Sequence, residues 1–163
     1  TALRTMRDDE GGIRTPMIAF WPAGMKQAEQ DGGGFYRESA HLVDLMSTAL
    51  ELAGTAYPET FRGSESEPIE GTSLASAFRG ESLKRELPLF FDWGRHHAYI
   101  EGSWKIIRDK KKPGPWELYD LGTRQTETEN LAEQQPERVK ALAAAWEERA
   151  EHYDRVAAQV EAK

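Results

Sequence analysis

The chain has no cysteine. Disulfides, thiolate metal sites and a cysteine-derived nucleophile are therefore excluded from its 163 residues. The absence marks no compartment, because any redox setting tolerates a cysteine-free chain. Long apolar runs are missing as well. None approaches the ~20 residues that span a bilayer, so no membrane partner is expected, and no stretch has the pattern of a secretory leader. Positive charge is in short supply: 21 Lys and Arg stand against 28 Asp and Glu, a formal net charge of -7. A nucleic-acid partner would normally require a basic face, so that class is excluded too. No Gly-x-Gly-x-x-Gly, no phosphate-cradling loop ending in Gly-Lys-Ser/Thr and no Gly-x-Ser-x-Gly elbow occurs. The first residue is Thr1 rather than Met, which reads as a processed, truncated or excised piece.

What is present suffices for a core: the apolar set is 39% and includes five Trp, five Tyr and six Phe. The pattern predicts a mixed α/β chain in two parts, residues 1–87 and 88–163. In the first part Met17-Ile18-Ala19-Phe20-Trp21, stopped by Pro22, predicts a strand buried on both faces. A helix is expected from Ala40 to Ala53, with Ser39 as N-cap and Gly54 just past its end. Leu42, Leu45, Met46, Ala49, Leu50 and Ala53 share one stripe, which predicts a well-buried helix. Pro58–Gly71 reads as a polar loop, and a helical turn is expected around Leu74–Phe78.

In the second part Leu89-Phe90-Phe91, Ala98-Tyr99-Ile100, Trp104-Lys105-Ile106-Ile107 and Trp116–Leu121 predict strands. Short turns at Glu101-Gly102 and Lys110–Pro115 make them neighbours, so the sheet is expected to be antiparallel. Pro136 suits the first turn of a last helix running to about residue 160. Its heptad row of Val139, Trp146, Tyr153 and Val160 is expected to pack back onto its own domain rather than form a coiled coil.

Few residues carry chemistry by themselves. Asp8-Asp9-Glu10 has the composition of a cation site but lacks further ligands nearby, so it reads as a solvated or capping cluster. Lys110-Lys111-Lys112 reads as a solvated hairpin tip. His41 and Asp44 lie three apart and should pair structurally or contact nearby backbone. His96 and His97 are adjacent on a strand and point to opposite faces, so they cannot readily share one metal. Either can line a pocket as an acid or an anion donor.

The motifs in order carry more than any one of them. Glu10-Gly11-Gly12-Ile13-Arg14-Thr15-Pro16 with Ile18, Trp21 and Pro22 resembles the Glu-Gly-Gly-(Ile/Val)-Arg-x-Pro segment of arylsulfatases. His41–Thr48 with Leu52-Ala53-Gly54 resembles their next helix, Ser47 standing where proline is usual. Gly71-Thr72-Ser73-Leu74, Phe78–Glu81, Gly102–Lys105, Trp116–Leu121 and Asn130-Leu131-Ala132 followed by Pro136-Glu137 are similar to later segments of the same family. The match runs from about residue 10 to 150 and covers the C-terminal portion only.

The resemblance implies hydrolysis of sulfate esters by a formylglycine nucleophile, with a calcium ion holding the sulfate group. The implied substrate is a sulfated small molecule or glycan. Neither the formylglycine loop nor a complete calcium cage is expected in this chain. It should be the C-terminal part of a sulfuric ester hydrolase, inactive alone and needing the missing N-terminal region, or else a non-catalytic module that self-associates. No catalytic or metal-ligating residue is assigned. The family lysine five residues before the glutamate falls on Thr5, so the flanking Arg4 and Arg7 become substrate-pocket candidates. Trp93-Gly94-Arg95-His96-His97-Ala98 replaces the family's His-Glu-Gly-Asn-Arg-Ala, which adds His96 and His97 to them. The family is often exported, which hints at a periplasmic or secreted setting.

Overall fold

The computed structural model describes residues 13, 15–25, 35–93, 96–109, 114–122 and 127–161. The chain divides into two compact units, one of Met17–Leu87 and one built on Pro88–Lys163. Arg4, Arg7 and the Asp8-Asp9-Glu10 triplet lie outside the described residues, as do Lys110-Lys111-Lys112.

The second unit carries the larger core. Four strands, β3 (Leu89–Trp93), β4 (His96–Glu101), β5 (Trp104–Asp109) and β6 (Glu117–Asp120), form a meander in sequence order, every neighbouring pair antiparallel. The turn between β4 and β5 is Gly102, whose φ of 59° belongs to the left-handed region. Register assigns the two faces. Phe90, Tyr99, Ile106 and Leu118 lie across from one another on one face; Phe91, Ala98, Ile107 and Glu117 do so on the other.

The last helix, Pro136–Glu161, covers the first of these faces. Tyr99, Ile106, Trp116, Leu118, Leu142 and Trp146 make the core, with Phe90, Val139 and Ala143 at its margin. Trp146 is its centre. The indole stacks on Phe90 at 5.3 Å between centroids, and its N–H donates to the Phe91 carbonyl at 3.2 Å. Val139, Trp146 and Tyr153 of the predicted heptad row therefore pack on their own sheet. Asn130 locks the lead-in: its Oδ1 accepts from the Leu118 and Ala132 N–H groups, both at 3.0 Å.

The first unit contains α1 (Asp44–Ala53), a two-stranded hairpin of β1 (Thr60–Phe61) and β2 (Ser64–Glu65), and α2 (Ala75–Phe78). The last helix is accordingly α3. Three expectations need correction. Met17–Trp21 forms no strand ladder, and Ile18 and Phe20 are 94% and 88% exposed. A strand needs a hydrogen-bonding neighbour, and none of the described residues provides one. Helix α1 begins at Asp44, not after Ser39; its N-cap residue is Val43, with no side-chain cap, and the Asp44 carboxylate instead reaches back to accept the His41 N–H at 2.7 Å. The apolar stripe of α1 is not buried. Asp44 and Thr48 are the helix's buried residues, while Leu45, Met46 and Leu52 are exposed.

That inverted burial has a polar cause. Asp44 is fully buried and receives the Thr72 N–H at 2.8 Å and both terminal nitrogens of Arg85. Thr48 Oγ1 donates to the Asp44 carbonyl at 2.6 Å and accepts from the Leu74 N–H at 2.9 Å. Ser47 Oγ donates to the Gly71 carbonyl at 2.7 Å, and a Cβ on Gly71 would sit 2.2 Å from the Val43 carbonyl oxygen. The residue in the proline-like position of the resemblance thus ties α1 to the 71–74 loop. The missed hairpin turns through Arg62 and Gly63, both with positive φ. Arginine is unusual at the first of those positions, which is why the segment reads as plain loop.

Two outcomes test this account. Leu118→Ala should cost about 2–5 kcal/mol by cavity formation in a close-packed core, read by denaturant unfolding of the Pro88–Lys163 unit. Burial disfavours charge on Asp44, but Arg85 and the His41 and Thr72 N–H groups more than offset it and hold its carboxyl below the ordinary range. A carboxyl depressed in the folded state contributes stability at neutral pH. That contribution fades as pH falls below about 4, the unfolded value. Asp44→Asn should therefore cost about 3–5 kcal/mol at pH 7, because Arg85 is left without its counter-charge. It should also flatten the acid limb of the pH–stability curve of the Met17–Leu87 unit.

Candidate functional site

Of the four pocket candidates, the structure describes His96 and His97. Both lie at the start of β4, and their side chains are buried. They do not converge. His97 is paired in register with Asp92 and Arg108 on the α3 face of the sheet, and His96 with Trp93 and Asp109 on the other. This is the alternation expected of adjacent strand residues.

His97 is held on every side. Its ring stacks on Trp146 at 4.0 Å with an interplanar angle of 22°, and Trp116 closes a third side at 6.1 Å. Arg108 Nη2 lies 3.2 Å from Nδ1. Guanidinium only donates, so Nδ1 is the acceptor and the neutral imidazole carries its proton on Nε2. That nitrogen lies 3.3 Å from Asp92 Oδ1. Arg108 is itself fixed over the Trp116 ring at 4.5 Å. A polar chain of Arg108, His97 and Asp92 thus runs through an aromatic box, and Asp92 reaches toward solvent. The arrangement orients the imidazole and fixes its tautomer.

On the opposite face His96 is neighbour to Trp93, whose indole is 65% exposed. An exposed indole beside an imidazole can meet a sugar ring or another protein surface. Lys105, on this same face, is fully buried and pairs with Glu127 at 2.9 Å. Sequence reasoning missed Asp92, Arg108 and the Lys105–Glu127 pair. The pairing register, once known, would have placed Asp92 and Arg108 beside His97; nothing local points to Glu127.

A separate shallow depression of ≈ 390 Å³ lies between the β4–β5 turn and α3, lined by Glu101, Trp104, Glu137, Arg138, Ala141 and Leu142. Arg138 stacks over Trp104 at 4.1 Å, and neither His96 nor His97 lines this depression. Among the described residues, no three His, Asp or Glu side chains gather as a metal site. Cysteine is absent from the sequence, and Ser66-Glu67-Pro68-Ile69-Glu70 ends in glutamate rather than arginine.

Comparison with known proteins decides the family. A family model described as N-sulphoglucosamine sulphohydrolase, C-terminal, matches residues 3–154. The chain belongs to this sulfatase family. An uncharacterized sulfatase of Schizosaccharomyces pombe is 30% identical over 143 residues, covering 84% of this chain and 25% of that protein. An N-acetylgalactosamine-6-O-sulfatase of Bacteroides thetaiotaomicron is 25% identical over 146 residues, covering 82% of this chain and 26% of that protein. This sulfatase C-terminal chain thus spans about a quarter of the length of the curated relatives it matches. A solved structure of a protein with its substrate D-glucosamine-2-N,6-O-disulfate aligns at a TM-score of 0.49 and 20% identity, covering 68% of this chain and 24% of that one.

The tautomer is directly testable. Nitrogen NMR at neutral pH should show His97 Nδ1 unprotonated and Nε2 protonated, and Arg108→Leu should release that preference. A proton on Nδ1 in the parent protein would contradict the Arg108–His97–Asp92 geometry.

Proposed function

We propose that this chain is the C-terminal part of a sulfuric ester hydrolase acting on sulfated sugars, and that it supplies walls of the substrate pocket rather than the reacting groups. The observation that carries the reading is the family match over residues 3–154 by a chain about a quarter as long as its relatives. A relative that is an N-acetylgalactosamine-6-O-sulfatase supports the sugar substrate.

Sulfate-ester cleavage needs a nucleophile on sulfur, cationic groups against the anionic transition state and an acid for the departing oxygen. On this reading the formylglycine and the calcium ion belong to polypeptide outside this chain. Exposed Trp93 is the part of the sheet that meets substrate, with buried His96 beside it as support, and Arg108 and Asp92 steady β4 through His97. Arg4 and Arg7 remain candidates for anion contacts. The competing reading is a non-catalytic assembly module, which the exposed apolar residues of Met17–Leu87 favour.

Purified chain given p-nitrophenyl sulfate and calcium chloride should show no turnover above the uncatalysed rate. Turnover that His96→Ala or His97→Ala abolishes would overturn the proposal, because it would place the reacting groups here.

A further inference from the structure

His97 sits between charges of opposite sign. Its side chain is 4% exposed, with Arg108 Nη2 3.2 Å from Nδ1 and Asp92 Oδ1 3.3 Å from Nε2. The two neighbours make different demands. Arg108 can only donate, so it needs Nδ1 bare, whereas an imidazolium presents an N–H at both nitrogens. Asp92 accepts from Nε2 in either state. The elements packed around the ring add to both sides. From α3, the face of Trp146 at 4.0 Å favours a cation, but Arg108 already lies over that indole at 5.9 Å and over Trp116, just ahead of β6, at 4.5 Å. Of the other charges on α3, Arg149 and Glu148 act on Tyr99, two residues along the same face. Burial decides between the two neighbours. A second positive charge on His97 would meet Arg108 almost out of water, while the Asp92 side chain is 36% exposed and so the better-screened partner. Repulsion and lost hydration outweigh the attraction of Asp92.

We propose that the Arg108–His97 contact is an acid-released latch: a proton and the Arg108 guanidinium compete for the one nitrogen Nδ1, so acidification frees Arg108 and loosens the end of the sheet it ties. That end is where Trp93 pairs with His96 and His96 with Asp109, next to Arg108 itself. Released from Nδ1, the guanidinium no longer holds β5 to β4 through the imidazole. The exposed Trp93 is the side chain whose footing changes most directly, since it follows Asp92 on β3. Histidine suits such a device because its charge changes between about pH 5 and 8. The latch is a property of the sheet and stands independently of the sulfatase reading.

Urea unfolding of the full chain, followed by tryptophan fluorescence, tests the latch, because Trp93, Trp104, Trp116 and Trp146 all lie in the Pro88–Lys163 unit. A folded form that refuses a proton which the unfolded imidazole takes near pH 6.5 loses stability as pH falls below about that value. The unfolding equilibrium constant of the parent should therefore rise about tenfold more than that of His97→Asn between about pH 7.5 and 5.5. The asparagine oxygen keeps an acceptor at the Nδ1 position and does not titrate. Taking the difference removes the groups that the two forms share, His41 and Asp44 included. Arg108→Leu leaves Asp92 and the Trp146 face, both of which favour the cation, so its acid dependence should vanish or reverse. Parallel curves for the parent and His97→Asn would overturn the proposal, as would an acid dependence that Arg108→Leu leaves unchanged. Should His97→Asn not fold, nitrogen NMR of the parent from about pH 8 to 4 decides. Protonation of Nδ1 and the shift of the Arg108 guanidinium signals should share one midpoint, and a proton on Nδ1 with Arg108 unmoved would sink the latch.

Discussion

The packing of Trp146 against the four-stranded sheet is the constraint on which the Pro88–Lys163 unit depends. One indole stacks on Phe90 and His97, borders Trp116 and donates its N–H to the Phe91 carbonyl. It therefore fixes the height and rotation of α3 over β3 and β4 and against Trp116, just ahead of β6. An aromatic of this size dominates the energetics of a small core, and its polar edge must find a partner once buried. Both conditions are met by a single residue. The imidazole of His97 is part of that packing, so the residue that looks most chemical in the sequence is also structural.

The Met17–Leu87 unit is held by different physics. Its centre is a buried carboxylate, Asp44, neutralised by Arg85 and by two backbone N–H groups. Such a site contributes specificity of geometry more than net stability. It dictates which side of α1 turns inward, and so which side is left apolar and outward. The two units thus differ in kind: one is an aromatic core under a helix, the other a polar clasp presenting an apolar face.

Much of this was legible in the residues. Strand positions in the second unit, the antiparallel order, the turn at Gly102 and the self-packing of α3 all follow from period-two and heptad patterns. The His41–Asp44 link was expected, but it is made by the His41 backbone N–H ahead of α1 and not across a helix face. What misled was the stripe on α1. Periodicity says that a face is apolar, not whether this chain or another polypeptide covers it. Met17–Trp21 failed for the same reason, since a strand is a property of two segments and a sequence shows one. Asp92 and Arg108 were invisible because their approach to His97 depends on register across two hairpins. The family resemblance came from the order of weak motifs. It located the chain within a sulfatase without establishing a role for any single side chain.

The central claim is that these residues frame a sulfatase site and do not contain its cation. Thermal unfolding of the isolated chain with increasing calcium chloride tests it most directly, because a cation bound only by the folded state raises the midpoint with concentration. The account predicts a midpoint that stays put from micromolar to millimolar calcium. A saturable rise with one-to-one stoichiometry by calorimetry would place a calcium site within this chain and contradict it.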